Sequence, residues 1–475
     1  MTDREMRGLE PALNRFLDRF LFCCAYTQTF GHLCTYVWGL LSDLDRKSVE
    51  PIALLAGTPV RSLQEFLRDH VWSFSQVRDL LQQYVVSLLL RMGGDELGTV
   101  GVIDETSVLK KGRLTPGVQR QYLGCVGKVE NGIVTVHLAV NKGDFKTLID
   151  GDLFLPEGWS DDRPRCREAG IPDEVVYRPK WEIALEQIDR ASGNGVKFDW
   201  LTFDEGYGMC PGFIRGLDER HARFVGEVPR TFSCLASNSR TGRPEAEIKG
   251  KAAEDVVRAA QAFRCQPWKV MRLRRQTRED QVWRVKAARV WMSSAGGWSE
   301  GTYWLIWACN DETGEEKFFL SNAAADTPIE TLLKVAFRRW NVEHGFRVAK
   351  SELGFGHFEG RTWVGLMRHM VLCLLAMVFV AEHTDRLRGK KSRDDAGAGE
   401  PGAGGGEPVL DAKAARDDGS QQRSASDRAP PVSQRAGSTS EEGQTNGRTQ
   451  PEEAATAQTK TQQTIYSKIY IALRC

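Results

Sequence analysis

The chain has 475 residues, of which 41% are hydrophobic and 27% are charged, and its 64 Lys and Arg nearly balance its 63 Asp and Glu. This length predicts several domains with sizeable cores. The net charge of +1 excludes a globally basic nucleic-acid-binding coat but not a local basic patch. The scattered cysteines include no CxxC pair, which argues against a disulfide framework and a structural zinc site.

Residues 1–97 are predicted to form a helical region, because apolar residues such as Leu13, Phe16 and Leu17 recur at helical spacing. The basic segment 61–78 either reads DNA or is the solvated face of a plain helical subdomain. No export signal precedes this region, and the apolar run 370–381 is too short for the roughly 20 residues that span a bilayer. A cytoplasmic protein with no membrane segment is therefore expected.

Residues 98–230 indicate an α/β core, with strands at 98–103, 121–127, 132–140 and 198–203, a hairpin turn at 130–132 and a helix at 181–191. Two of these strands end at an acid, Asp104 and Asp204. If the two strands are neighbours, the carboxylates face each other and repel unless they are protonated or bridged by cations. Divalent ions with oxygen ligands are the usual solution, although an acid after an apolar run is also a common turn or N-cap.

Residues 231–325 are predicted to be rich in strands, at 268–273, 282–292, 303–309 and 317–320. Tryptophan and basic residues alternate along these strands. They either clamp a nucleic-acid strand or form the aromatic inner face and the charged outer face of an ordinary sheet. These residues are Trp268, Trp283, Trp291, Trp298, Trp304 and Trp307, with Arg272, Arg274, Arg275, Arg278, Arg284, Lys286 and Arg289.

Residues 326–384 return to helices, and a helix at 331–353 would place Arg339, Glu343 and Lys350 within roughly 40° of one face. That face either carries a metal ligand beside two phosphate-binding cations or is an exposed surface held by salt bridges. Residues 385–463 are rich in small and polar side chains and are predicted to be disordered. Apolar residues return at 464–475, which either add a short element to the body or stay loose.

The run 339–350 resembles the Tyr-x2-Arg-x3-Glu-x6-Lys signature of DDE transposases of bacterial insertion sequences, in particular the insertion sequence 701 type. The resemblance covers roughly residues 60–382. Its signature Tyr position falls on Ala336, which departs from the pattern. The other matching motifs are Asp104-Glu105-Thr106, Lys110-Lys111-Gly112, Gly117-Val118-x-Arg120-Gln121-Tyr122, Gly127-Lys128, Ser351-Glu352-Leu353-Gly354 and Gly360-Arg361-x-Trp363.

The resemblance implies a ribonuclease-H-like catalytic core interrupted by the β-rich insertion 231–325. It implies that Asp104, Asp204 and Glu343 are catalytic acids that bind two Mg²⁺ ions, for which Mn²⁺ can substitute. Arg339 and Lys350 would pair with DNA phosphates. Further DNA contacts are expected from Lys110, Lys111 and Arg120, and from Trp298 as the holder of an extruded base.

The function that follows is a DNA transposase, a metal-dependent endonuclease and strand transferase of a mobile element. It would bind terminal inverted repeats as a homodimer, cleave the ends through a hairpin intermediate and join them to target DNA at the bacterial nucleoid. One alternative is a catalytically inactive, transposase-derived DNA-binding protein. Another is a glycoside hydrolase that uses two of the carboxylates. ATP-driven function is not expected, because the chain has no GxxxxGK[ST] loop.

Overall fold

The computed structural model describes residues 9–237, 242–245, 247–273, 281–294 and 297–397, which form a mixed α/β fold with two sheets. The N-terminal part is helical, and its helices bury apolar residues such as Leu13, Val37 and Leu63. These helices are α1 (Leu9–Leu17), α2 (Thr27–Leu41), α3 (Val49–Leu55), α4 (Val60–Arg68) and α5 (Phe74–Arg91), with a 3₁₀ helix at Asp18–Cys23.

The first sheet brings the two predicted acidic strands together. Its strands are β1 (Val100–Leu109), β2 (Gln119–Leu123), β3 (Lys128–Lys142), β4 (Phe145–Leu153) and β5 (Trp200–Phe203). Their order is β2-β3-β1-β5, and β4 pairs with β3. β1 is antiparallel to β3 and parallel to β5, with Ile103 opposite Phe203. The strand containing Asp104 and the strand preceding Asp204 are therefore neighbours.

The hairpin turn predicted at 130–132 is wrong, because these residues lie inside β3. The chain turns instead at 124–127, where Gly127 has a φ of 66° that favours glycine. Gly132 is needed for close approach, since a Cβ there would stand 2.5 Å from the carbonyl oxygen of Val108 on β1. Strand β4 was not predicted from the sequence.

In the described segment between β4 and β6 the chain forms five helices. They are α6 (Glu157–Ser160), α7 (Arg163–Glu168), α8 (Lys180–Gly193), α9 (Glu205–Gly208) and α10 (Pro211–Glu219). The α8 helix, predicted at 181–191, packs on β3 and β4. Its Arg190 reaches the buried carboxylate of Asp150 at 2.8 Å and that of Asp152 at 2.5 Å. This ionic contact ties the helix to the sheet.

The second sheet contains the four strands predicted between 268 and 320. Its order is β6-β12-β11-β10-β7-β8, with β9 paired to β10, and it begins before residue 231. A parallel bridge between Leu201 and Phe224 joins the two sheets. Its elements are β6 (Val225–Val228), β7 (Ser233–Ala236), β8 (Lys251–Ala252), α11 (Ala253–Ala259), α12 (Gln261–Arg264), β9 (Lys269–Leu273), β10 (Gln281–Ser294), β11 (Gly297–Asn310) and β12 (Glu316–Ser321).

The helix predicted at 331–353 is divided in two, α13 (Ile329–Arg338) and α14 (Trp340–Ser351), with Arg339 at the junction. The last helix, α15 (Trp363–Gly397), contacts β4 and the N-terminal helices α2, α4 and α5.

The α15 helix continues past residue 385, where the sequence predicted a disordered tail, so that tail does not begin there. The rest of the predicted tail and the segment 464–475 lie outside the described residues. Part of α15, Trp363–Thr384, is long and apolar enough to cross a membrane, but 83% of that window is buried inside the protein. Such burial is expected of a core helix.

Candidate active site

Asp104 and Asp204 lie side by side on the neighbouring strands β1 and β5, of which β5 is the outer strand of the first sheet. Asp104 follows Ile103 within β1, and Asp204 follows its parallel partner Phe203 at the end of β5. Asp104 lies inside its strand, which continues to Leu109, and not at the strand end that the sequence predicted. Asp204 caps α9, since its Oδ1 accepts the Tyr207 backbone N–H at 3.3 Å.

The two carboxylates lie in an electrostatically unfavourable position, with Asp104 buried and Asp204 half-buried. Burial, with a smaller effect of the neighbouring Asp204, raises the pKa of Asp104 to about 7, while Arg339 opposes the shift. Burial also raises the pKa of Asp204, against the effect of Arg339. Two acids that resist ionisation together need a cation nearby, as the sequence predicts for this pair.

Arg339 supplies that cation in the structure. Its Nη1 lies 3.4 Å from Asp104 Oδ2 and 3.5 Å from Glu343 Oε1, one helical turn further along. Its Nη2 lies 3.9 Å from Glu227 Oε2. The Arg339 side chain is only 14% exposed, whereas that of Glu343 is 62% exposed. Glu343 therefore reaches the aspartate pair through Arg339.

The position of the missing signature Tyr is buried. Ala336 lies on α13 and is 5% exposed, so it offers no hydroxyl to a phosphate. A different hydroxyl lies near the acids, that of the buried Tyr207, whose pKa is raised by burial, Glu105, Asp204 and Asp104. Within the described part of the chain this hydroxyl has no hydrogen-bond partner.

Lys350 lies on α14, two helical turns beyond Glu343. Burial lowers the pKa of its ammonium group, and the nearby thiol of Cys125 opposes the shift. Cys125 belongs to the turn between β2 and β3, and its backbone N–H donates to Ser107 Oγ on β1. Lys350 thus lies beside the β2–β3 turn.

The three basic residues predicted to contact DNA differ in their surroundings. Lys110 is half-buried, and its Nζ donates to the carbonyl oxygens of Gly356 at 3.3 Å and Phe358 at 2.5 Å. Burial lowers its pKa to about 8. Its ammonium group therefore fixes the 356–358 loop, whereas Lys111 and Arg120 are exposed.

Trp298 does not present a free ring. It is 6% exposed, and its Nε1 donates to the Glu245 carbonyl at 3.1 Å. The alternation of Trp and basic residues instead produces internal contacts, with the Trp268 and Trp307 ring centroids 4.7 Å apart and the Lys286 ammonium 4.9 Å from the Trp268 ring. The predicted residues Arg274, Arg275 and Arg278 lie outside the described residues.

The aspartate pair fits a divalent cation of the kind that the resemblance implies. Among the residues that the structure describes, no group of three or more His, Cys, Asp or Glu side chains is arranged to hold a metal ion. Magnesium, however, commonly takes one or two protein carboxylates and completes its shell with water and substrate phosphates. Asp104 and Asp204 supply two such carboxylates, and the unpartnered Tyr207 hydroxyl is a further polar group nearby.

Glu227 and Lys317 belong to the site but were not predicted from the sequence. Lys317 Nζ lies 2.6 Å from Glu227 Oε1, and both side chains are 13% exposed. A signal for Glu227 was present, because the buried run 224–226 ends at this acid in the same way that apolar residues precede Asp104 and Asp204. Lys317 has no comparable signal, since its contact depends on the pairing of β12 with β6.

Comparison with known proteins gives matches of three kinds: a family model, a relative by sequence and solved structures. The family model described as DDE superfamily endonuclease matches residues 20–280, a range that includes Asp104 and Asp204 and ends before Glu343. A protein of Microchaete diplosiphon described as a probable transposase for insertion sequence element IS701 is 34% identical over 190 residues. That alignment covers 39% of this chain and 46% of the relative, so the chain matches about half of the relative's length.

One of the solved structures that match is a cryo-EM structure of the piggyBac transposase synaptic complex with hairpin DNA. It has a TM-score of 0.36 and 12% identity, and it covers 76% of this chain and 68% of that one.

Proposed function

The chain belongs to the DDE superfamily of endonucleases, and from this premise we propose that it is an IS701-type transposase, which binds the terminal inverted repeats of an insertion sequence, cleaves the DNA ends and joins them to target DNA. The observation that supports the proposal is the register of β1 and β5, in which the buried Asp104 and the half-buried Asp204 follow directly opposed residues. Glu343 is the third acid of the proposed site, linked to Asp104 through Arg339.

The acids and the basic residues of the proposed site would have separate roles. Asp104 and Asp204 would hold Mg²⁺ or Mn²⁺, and Glu343 would join them once Arg339 moves from between the acids. Two such ions, when bound, activate the attacking oxygen and neutralise charge on the phosphate and leaving group. Arg339 and Lys350 would bind phosphates near the scissile bond. The mixed sheet that carries both aspartates supports assignment as the ribonuclease-H-like core.

DNA binding would extend from the acids along the first sheet. Lys111 follows β1, Arg120 lies on edge strand β2, and both are exposed. Since the net charge is only +1, attraction to DNA would come from such local groups, and binding should weaken steeply with salt. Two copies of the chain would hold the two ends together, and the protein would act on DNA in the bacterial cytoplasm.

The test is an end-cleavage assay with DNA ends taken from the repeats that flank the gene. Asp104→Asn, Asp204→Asn and Glu343→Gln should each reduce cutting by about 10³-fold or more, while binding of the ends survives. Glu205→Gln is the matched control, because Glu205 follows Asp204 in the chain but is exposed. Mg²⁺ or Mn²⁺ should support binding and cutting, and Ca²⁺ binding alone.

Full cutting by one of the three variants would remove that acid from the site. Cutting without any divalent ion would contradict the proposed chemistry as a whole. Binding of the ends without cutting by the unmodified protein under all metal conditions would favour the inactive DNA-binding alternative.

A further inference from the structure

Glu227 lies at the same level as the two catalytic candidates on a third neighbouring strand. Ile103 of β1 is opposite Phe203 of β5, and Leu201 is bridged in parallel to Phe224, which precedes β6. Following this register, Asp204 lies between Asp104 on one side and Glu227 on the other. At the usual strand spacing of roughly 4.8 Å, the three residues form one row of carboxylates.

Close packing fixes the backbone of Glu227 in that row. A Cβ on Gly226 would stand 1.9 Å from the Phe203 ring, and a Cβ on Gly208 would stand 1.8 Å from the Glu227 carbonyl oxygen. Both glycines therefore allow an approach that any side chain would block. The backbone of β6 is held against β5 on one side and against α9 on the other.

Two cations meet the Glu227 carboxylate, and one of them spans the row. Lys317 makes the short contact, at 2.6 Å. Arg339 directs Nη2 toward Glu227 at 3.9 Å and Nη1 toward Asp104 at 3.4 Å. The guanidinium group therefore extends from one end of the row to the other, over the central Asp204.

The charges in this cluster do not balance. In the described part of the chain, Arg339 and Lys317 face the acids Asp104, Asp204, Glu227 and Glu343 and the more exposed Glu315, so acids outnumber cations and the cluster is net negative when every group is ionised. A divalent cation supplies the missing charge, but beside Asp104 it meets the guanidinium group of Arg339. The arginine must then leave Asp104, and Glu227 is the acid that its other nitrogen already faces.

We propose that Glu227 is a positioning residue that retains Arg339 within the site when a divalent cation takes the arginine's place beside Asp104. The inference rests on the proposed metal-dependent function. Glu227 itself touches neither metal nor DNA in this scheme, because its carboxylate is committed to Lys317 and Arg339. Its effect on cation binding must therefore depend on the presence of Arg339.

The test is a calorimetric titration of the full-length, DNA-free protein with Mn²⁺ alone. Glu227→Gln should weaken Mn²⁺ binding about tenfold, since the arginine then keeps Asp104 as its main partner. Arg339→Met should strengthen binding by removing the competing cation. In the Arg339→Met background, Glu227→Gln should change binding by about twofold or less.

Two further variants separate positioning from general electrostatics. Glu315→Gln removes an acid that also contacts Lys317, at 3.4 Å, but does not contact Arg339. It should leave Mn²⁺ binding within about twofold of the unmodified protein. Glu227→Gln with Lys317→Met keeps the net charge and leaves no unpaired lysine. It should still weaken binding, and it replaces the single variant if that variant does not fold.

An equal loss on Glu227→Gln with and without Arg339 would overturn the proposal, because Glu227 would then act by its charge or as a ligand. No loss in either background would also overturn it. If the unmodified protein binds no Mn²⁺, the metal chemistry under the proposed function fails and this inference fails with it. Metal binding with intact cleavage but no coupling between Glu227 and Arg339 rejects the positioning role alone.

Discussion

Asp104 shows how one buried side chain connects stability to chemistry. Its carboxyl group has a pKa of about 7 because it is buried beside Asp204, so the folded protein favours the protonated form at acidic pH. Ionisation near neutral pH has to be compensated by a cation. In the structure that cation is Arg339, at 3.4 Å. The same electrostatic repulsion between the carboxylates that costs stability favours the binding of a metal ion.

Asp104→Asn should stabilise the metal-free protein at alkaline pH. The folded pKa lies above the unfolded value of about 3.9, so the stabilising effect of the protonated carboxyl is lost as pH rises from about 4 through 7. At about pH 8 the free energy of unfolding of the variant should exceed that of the unmodified protein by about 2–4 kcal/mol. Urea unfolding in EDTA across this pH range measures the difference, which should shrink toward about pH 4.

Exposed Glu205→Gln is the control for that series and should show no comparable pH dependence. A stability difference between Asp104→Asn and the unmodified protein that stays constant with pH would contradict the role assigned to burial. Measurements in Mn²⁺ should reverse the order at alkaline pH, because only the unmodified carboxylate gains from the bound ion.

At the level of single residues, local sequence predicted the neighbouring positions of the two aspartates better than the surroundings of the basic residues. Asp104 and Asp204 each follow buried strand residues, a pattern that can be read along the chain. Lys110 was grouped with exposed Lys111 because nothing local shows that its ammonium group reaches carbonyl oxygens at Gly356 and Phe358. Trp298 was predicted to hold an extruded base because a Gly-Gly turn lies beside it, whereas its ring is buried. Such contacts join distant segments and leave no periodic signal.

At the level of elements, most strands and helices were predictable because hydrophobic periodicity marks them. The position of the hairpin turn was not predictable, because a glycine that forms a turn and a glycine that allows close packing look the same in the sequence. Gly127 supplies a positive φ at the turn, whereas Gly132 lets β1 and β3 approach inside the sheet. The break at Arg339 was also missed, because the apolar pattern continues across both α13 and α14.

Gly132→Ala should destabilise the β1–β3 pairing. Its Cβ would lie 2.5 Å from the Val108 carbonyl oxygen and 2.6 Å from the Leu123 side chain, so the free energy of unfolding should fall by about 1–3 kcal/mol. Gly124→Ala is the matched control in the same hairpin, with nothing within 4 Å of its Cβ. It should change stability by about 0.5 kcal/mol or less. Equal effects in thermal or urea unfolding would contradict this account of Gly132.

At the scale of the whole molecule, α15 joins the N-terminal helices to the first sheet. Arg368, which is 5% exposed, donates to the carbonyl oxygens of Phe66 and Leu67 at 3.2 Å and to those of His70 and Trp72 at 2.7 Å. These carbonyls lie at and beyond the C-terminal end of α4, where a cation is favourable. The connection spans about 300 residues of sequence, so no local pattern predicted it.

Arg368→Met should weaken this connection. Several buried carbonyl oxygens would lose their donor, and the free energy of unfolding should fall by about 2–4 kcal/mol. Arg361→Met, at an exposed position just before α15, is the control and should be nearly neutral. Chemical unfolding followed by circular dichroism measures both. An unchanged stability of Arg368→Met would show that the N-terminal helices do not depend on this arginine.

The same attachment constrains how the gene could evolve. A premature stop codon before α15 would remove the surface on which α2, α4 and α5 rest, so the N-terminal helices would lose their support along with the missing helix. We therefore do not expect shortened copies of the protein that lack α15 to fold into an inhibitor that still binds the DNA ends. Substitution of a single acid of the proposed site is a simpler route to a protein that is inactive but still folded.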